Sequence, residues 1–138
     1  MTMLKIIDEP DYKILFDEAQ RVLLVIDSIS HYVADSKIKE MINQVADAII
    51  RYKPLYYLGD DSKRKYVFSA AIQRWVAETL LSACIEAGLQ KFPLVQSEEF
   101  IVNLSNEQAA EEIQEENPVP VGFFYTIEEA QNWLGIRL

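Results

Sequence analysis

The run Arg21–Asp27, RVLLVID, constrains this chain most. Val22 to Ile26 are apolar without interruption and rich in β-branching. A strand with one wet face would alternate apolar and polar residues, so this run predicts a strand buried on both faces. Upstream, Tyr12–Phe16 (YKILF) alternates around Lys13, and the polar turn Asp17–Gln20 joins the two. That spacing predicts an antiparallel hairpin. Leu4–Ile7 predicts a short strand before it, broken at Glu9-Pro10-Asp11.

Downstream the pattern changes period. Ile38, Met41, Ile42, Val45 and Ile49 recur at helical spacing. Asp35 or Ser36 suits the cap, and Pro54 stops the helix after Lys53. Leu55–Leu58 (LYYL) is the next strand, so Arg21 to Leu58 forms a βαβ unit with parallel strands. A polar loop over Ser62–Val67 leads to the longest helical pattern, Phe68–Gly88, with Ser69 as cap and Gly88 as terminator. Lys91–Gln96 predicts a strand, and Pro93 within it predicts an edge position or a strand end. Phe100–Leu104 (FIVNL) suits an extended piece or a loop. Ser105 and Gln108 form a capping box for a helix to about Asn117, whose Glu115 and Glu116 predict a frayed end. Val121–Tyr125 is the last strand, and Thr126–Glu129 caps a final helix over Ile127–Leu134, ended by Gly135. The expectation is an α/β fold over a single domain, residues 1–138. A mixed, mostly parallel sheet of about five strands opens with an antiparallel hairpin and is covered by about four helices.

Charge narrows the partners. The formal net charge of -9 opposes binding to nucleic acid and to anionic headgroups. The basic cluster Lys63-Arg64-Lys65 is short, follows Asp60-Asp61 and suits a solvated loop. One cysteine, no signal-peptide pattern and no run of about 18 apolar residues predict a cytoplasmic protein without a membrane span.

Candidate chemistry is sparse. His31 is the sole histidine and lacks companions for a zinc site. Cys84 sits among apolar helical neighbours, as a buried small hydrophobe would. Asp60-Asp61-Ser62 follows the end of a parallel strand, where open α/β sheets bind ligands. Adjacent carboxylates there suit Mg2+, or simply a solvated turn. Ser62 and Ser69 are candidate phosphoacceptors. Trp75 and Trp133 fall on apolar helix faces and predict core packing, while Tyr56, Tyr57 and Tyr66 cluster around the third strand and its loop.

The stretches YKILFDEAQRVLLVID, PLYYLGD, QRWVAETLLSACIEAGLQKFPLV and FFYTIEEAQNWL together resemble the STAS fold. STAS is named for sulfate transporters and anti-sigma-factor antagonists, and the likeness is greatest to its small stand-alone bacterial members. The resemblance implies binding to a protein partner. It also implies a phosphorylated serine at the start of the helix after the central strand, within an Asp-Ser-Ser-Gly-like motif. Here that segment is Phe68-Ser69-Ala70-Ala71: the Asp and Gly are missing, and the acceptor position falls at or next to Ala70. A related branch resembles the CRAL-TRIO lipid-transfer domains and implies an apolar cavity.

The expected function is a non-enzymatic regulatory or protein-interaction module that binds a protein partner or forms a homodimer. It uses no cofactor or metal, and Asp60, Asp61, Ser62 and Ser69 are its partner-facing or phosphoacceptor candidates. Such a module predicts an exposed apolar patch. The alternative, a carrier or sensor of a small apolar ligand or lipid, predicts a cavity of about a few hundred Å3 between helix and sheet. An enzyme would need a pocket of converging polar groups at Asp60-Asp61.

Overall fold

The computed structural model describes residues 3–113 and 118–138. Six strands form one sheet in chain order: β1 (Leu4–Asp8), β2 (Tyr12–Asp17), β3 (Val22–Asp27), β4 (Tyr56–Asp60), β5 (Phe92–Val95) and β6 (Val121–Phe124). The first three pair antiparallel and the rest parallel. Four helices alternate with the later strands: α1 (Asp35–Tyr52), α2 (Ala70–Ala87), α3 (Phe100–Ile113) and α4 (Ile127–Leu134). The mixed sheet, the opening hairpin and the helix count match the expectation, with β1 joining the sheet as a full member.

The apolar run behaves as its pattern requires. In β3, Leu23 and Val25 face a large core made with α1 and α2, while Val22 faces a second core with Leu58, Val95 and Ala130 of α4. Strand order advances in one direction, so crossovers of the usual hand place their helices on one face. Accordingly α1 packs on α2 and α2 on α3, whereas α4 packs against β4, β5 and β6. Trp75 lies partly buried against the larger core. Trp133 packs on Phe124 with ring centroids 5.4 Å apart.

Five local expectations differ from the structure. Ala34 occupies the N-cap of α1 with no side-chain cap bond, and Asp35 acts as first-turn charge instead. β5 is interior, flanked by β4 and β6, so the edge alternative fails, while Pro93 does lie next to the strand's first residue. It accommodates Pro93 because the β4–β5 ladder breaks there: Gly59 and Asp60 pair with Leu94 and Val95, and beyond the proline only the isolated bridge Tyr56–Lys91 remains. Phe100–Leu104 is helical, and Ser105 lies inside α3 rather than capping it. The entrance to α3 is built around Ser97, whose N–H donates to Asn103 Oδ1 at 2.7 Å and whose Oγ accepts from Glu99 N–H at 3.0 Å. Arg64 is buried rather than solvated with its lysine neighbours, because two buried carboxylates lie beside it. The expected frayed end, Glu115 and Glu116, lies outside the described residues.

Candidate functional site

The inward rows of β3 and β4 both end in a carboxylate. Strand side chains alternate faces, so Asp27 continues the row of Leu23 and Val25, and Asp61 continues that of Tyr57 and Gly59. Ile26 pairs with Asp60 in the parallel register, which brings Asp27 and Asp61 to the same end of neighbouring strands. The same alternation separates Asp60 from Asp61. Asp60 Oδ1 accepts from Ser62 N–H at 3.0 Å, whereas Asp61 is buried. The two adjacent carboxylates therefore do not converge on one cation. Among the described residues no group of three or more His, Cys, Asp or Glu side chains is placed to hold a metal.

Arg64 answers the buried acids. Rather than extending into solvent with its lysine neighbours, it is 3% exposed. Its Nη1 lies 3.3 Å from Asp61 Oδ2, and its Nε lies 3.8 Å from Asp27 Oδ2 while donating to Tyr66 O at 3.0 Å. The guanidinium sits over the Phe68 ring, 3.9 Å from the centroid. Asn106 of α3 closes the cluster. Its Nδ2 donates to Asp61 Oδ2 at 2.9 Å, and its Oδ1 accepts from Arg64 Nη1 at 3.4 Å and from Gln73 Nε2 at 3.3 Å. β3, β4, α2 and α3 thus meet at one polar knot.

Two carboxylates against one guanidinium leave an excess negative charge inside the protein. Burial, then the charge of Asp61, pushes Asp27 up to about 7 despite the opposing pull of Arg64. Burial also raises Asp61, against Arg64 and the Asn106 hydrogen bond. Tyr57 rises well above its ordinary value, chiefly by burial and next by the charge of Asp61. An acid poised near neutrality is a feature of general acid–base sites and equally of structural ion networks. Asp27 and Arg64 are both buried, as members of such networks are. Cys84, its thiol pushed up to about 12 by burial, is the buried hydrophobe the sequence predicts.

A cavity of about 130 Å3 lies beneath α3, bordered by the knot at one end and by Val25, Val45, Val76 and Phe92 along its apolar walls. Its size is below the few hundred Å3 a carrier of lipid or drug-sized cargo would show, whereas a second pocket of about 410 Å3 lies along Glu107, Glu111, Pro118 and Phe123.

The sequence candidates fall at two depths. Ser69 caps α2, its Oγ accepting from Ile72 N–H at 3.3 Å, and it is exposed. Ser62 is half-buried beside Asp60. His31 pairs with Asp11 at 3.5 Å on the surface. Tyr66 lies edge-on to both Tyr32 and Phe68, while Tyr57 stacks on Phe92 at 4.0 Å. Because Ser69 holds an otherwise free helix N–H, Ser69→Ala is expected to lower stability by about 1 kcal/mol in urea titration. A loss below about 0.3 kcal/mol would show the cap to be idle.

Sequence reasoning missed Asp27, Arg64, Gln73 and Asn106. Asp27 at the end of an apolar strand was the available signal: a charge that closes a doubly buried run needs a partner.

The structure defines a class: a mixed sheet with an antiparallel opening hairpin, sequential parallel strands and crossover helices. No family model and no curated protein matches the chain. The chain is similar in fold to apo-SiaC from Pseudomonas aeruginosa, whose crystal structure superposes with a TM-score of 0.56 at 18% identity, covering 90% of this chain and 99% of SiaC.

Proposed function

We propose that this protein is a non-enzymatic, cytoplasmic regulatory module that docks a protein partner on the C-terminal edge of its parallel strands. One observation carries the reading. Among the described residues, most of the exposed large hydrophobic ones follow those strand ends: Tyr32 (75% exposed) after β3, Phe100 (72%) and Ile101 after β5, and Tyr125 (77%) after β6. Leu104, one turn into α3, extends the patch. Apolar residues gathered at one edge of a sheet mark an interaction site more than ones spread over every face do.

Charge selects the partner's chemistry. The exposed Glu98 and Glu99 adjoin Phe100, and the chain carries a net charge of -9. A second copy would bring like charges together, so the favoured partner has an apolar centre and a basic rim. Ser62 and Ser69 belong to loops on this same edge. A phosphate on Ser69 would meet the N-terminus of α2, whose first turn has no acidic residue. Fold likeness to SiaC and the STAS resemblance support the regulatory reading; the knot's enclosure supports a non-enzymatic one.

The test places a photo-cross-linking amino acid at position 101 of the full chain in its native cells. The expected product is a heterologous adduct whose purified partner binds at least about tenfold more weakly to Phe100→Glu, with the fold retained. Adducts only with a second copy, or no adduct, would overturn the docking surface. Mass spectrometry of the same material tests the modification: phosphate confined to sites other than Ser62 and Ser69 would remove that part alone.

A further inference from the structure

Two polar atoms at the knot are buried and, among the described residues, have no hydrogen-bond partner: Arg64 Nη2 and Gln73 Oε1. They converge. The other arm of each head group, Arg64 Nη1 and Gln73 Nε2, bonds the same oxygen, Asn106 Oδ1, at 3.4 and 3.3 Å. Both residues line the cavity beneath α3. One atom is a donor and the other an acceptor, and a buried group of either kind left unmatched is costly.

The cavity's chemistry selects what would match them. At about 130 Å3 it approaches the roughly 150 Å3 that suffices for a benzene ring in an engineered apolar cavity. Away from the knot its walls are apolar, so water satisfies only one end. The acids Asp27 and Asp61 already balance Arg64, which leaves no surplus positive charge for an anion. A hydroxyl accepts one hydrogen bond and donates another, as these two atoms require. We propose that the cavity beneath α3 binds a small, neutral, hydroxylated ring compound. Its hydroxyl accepts from Arg64 Nη2 and donates to Gln73 Oε1, and its ring lies against Val76 and Phe92.

The cavity lies under the buried side of α3 and the docking residues are exposed, so either can fail alone. The probes are phenol and benzene, titrated into the full-length protein at pH 7 by isothermal calorimetry and by amide NMR. The expected result is phenol binding about tenfold more tightly than benzene, with shifts centred on α2 and α3. Gln73→Leu removes the acceptor and is expected to bring the two affinities within about twofold of each other. Ala109→Met fills the cavity and is expected to abolish both. If that variant does not fold, the wild-type preference and its loss in Gln73→Leu decide. Equal affinities in the wild type, no binding of either probe, or shifts confined to surface residues would overturn the site and leave a bridging water as the partner of both atoms.

Discussion

Arg64→Met is expected to destabilise the protein by about 3–5 kcal/mol at pH 8, the largest effect of any single substitution outside the apolar core. The guanidinium is the cation paired with Asp27 and Asp61, and it also contacts Asn106 and the Phe68 ring. Methionine fills much of the same volume, so the loss measures charge rather than packing. Two buried carboxylates would then face each other unpaired, and uncompensated buried charge is what makes breaking such a cluster expensive. Urea unfolding at pH 8 reads the effect directly. A second variant separates charge from shape: Arg64→Met combined with Asp27→Asn and Asp61→Asn is expected to recover at least half of the loss. A single-variant loss below about 1 kcal/mol would show that Arg64 is not what holds the acids in place.

The second large effect is a pH dependence of unusual sign. Asp27 keeps its proton in the folded protein up to about pH 7, whereas an unfolded aspartate titrates near about 3.9. Between those values the folded state binds more protons than the unfolded one, so stability falls as pH rises. The contribution is fully present below the unfolded value and is lost as pH climbs through the folded one. Asp61 is raised as well and adds in the same direction. Asp8, lowered by Lys13, has the opposite sign, but its contribution disappears only below the ordinary aspartate range. The wild type is therefore expected to be about 1–3 kcal/mol more stable at pH 5 than at pH 8. Asp27→Asn leaves one acid for one guanidinium and is expected to cut that difference by more than half. Urea titrations at both pH values check it. An unchanged slope in Asp27→Asn would place the titrating group elsewhere.

Much of the fold was legible because its signals are local. The apolar run of β3, the helical spacing of Ile38 to Ile49, the cap Ser69 and the terminators Gly88 and Gly135 each act within a few residues. All behave in the structure as their patterns predict. The body of helix α3 was legible from Ser105 on, but its first turns, Phe100–Leu104, were not. Its inward stripe is Val102, Asn106 and Ala109, with a polar residue at the centre, while Phe100, Ile101 and Leu104 face outward. A helix that buries an amide and exposes a phenylalanine inverts the amphipathic pattern used to find helices. Pro93 left an edge position and a strand end both open. It excludes one ladder bond, and only the assembled sheet reveals that this ladder has a gap at that point.

By itself, the sequence determined the element order, the doubly buried central strand and the acidic surface, since periodicity and charge belong to short stretches of chain. Only the tertiary structure decided the site. Asp27, Asp61, Arg64 and Asn106 come from β3, the end of β4, its following loop and α3, and nothing in their sequence spacing announces that they meet. Arg64 stands between two lysines and looks like a solvated cation. It turns inward because parallel pairing of β3 with β4 buries two carboxylates side by side, and a buried charge must find its counterion.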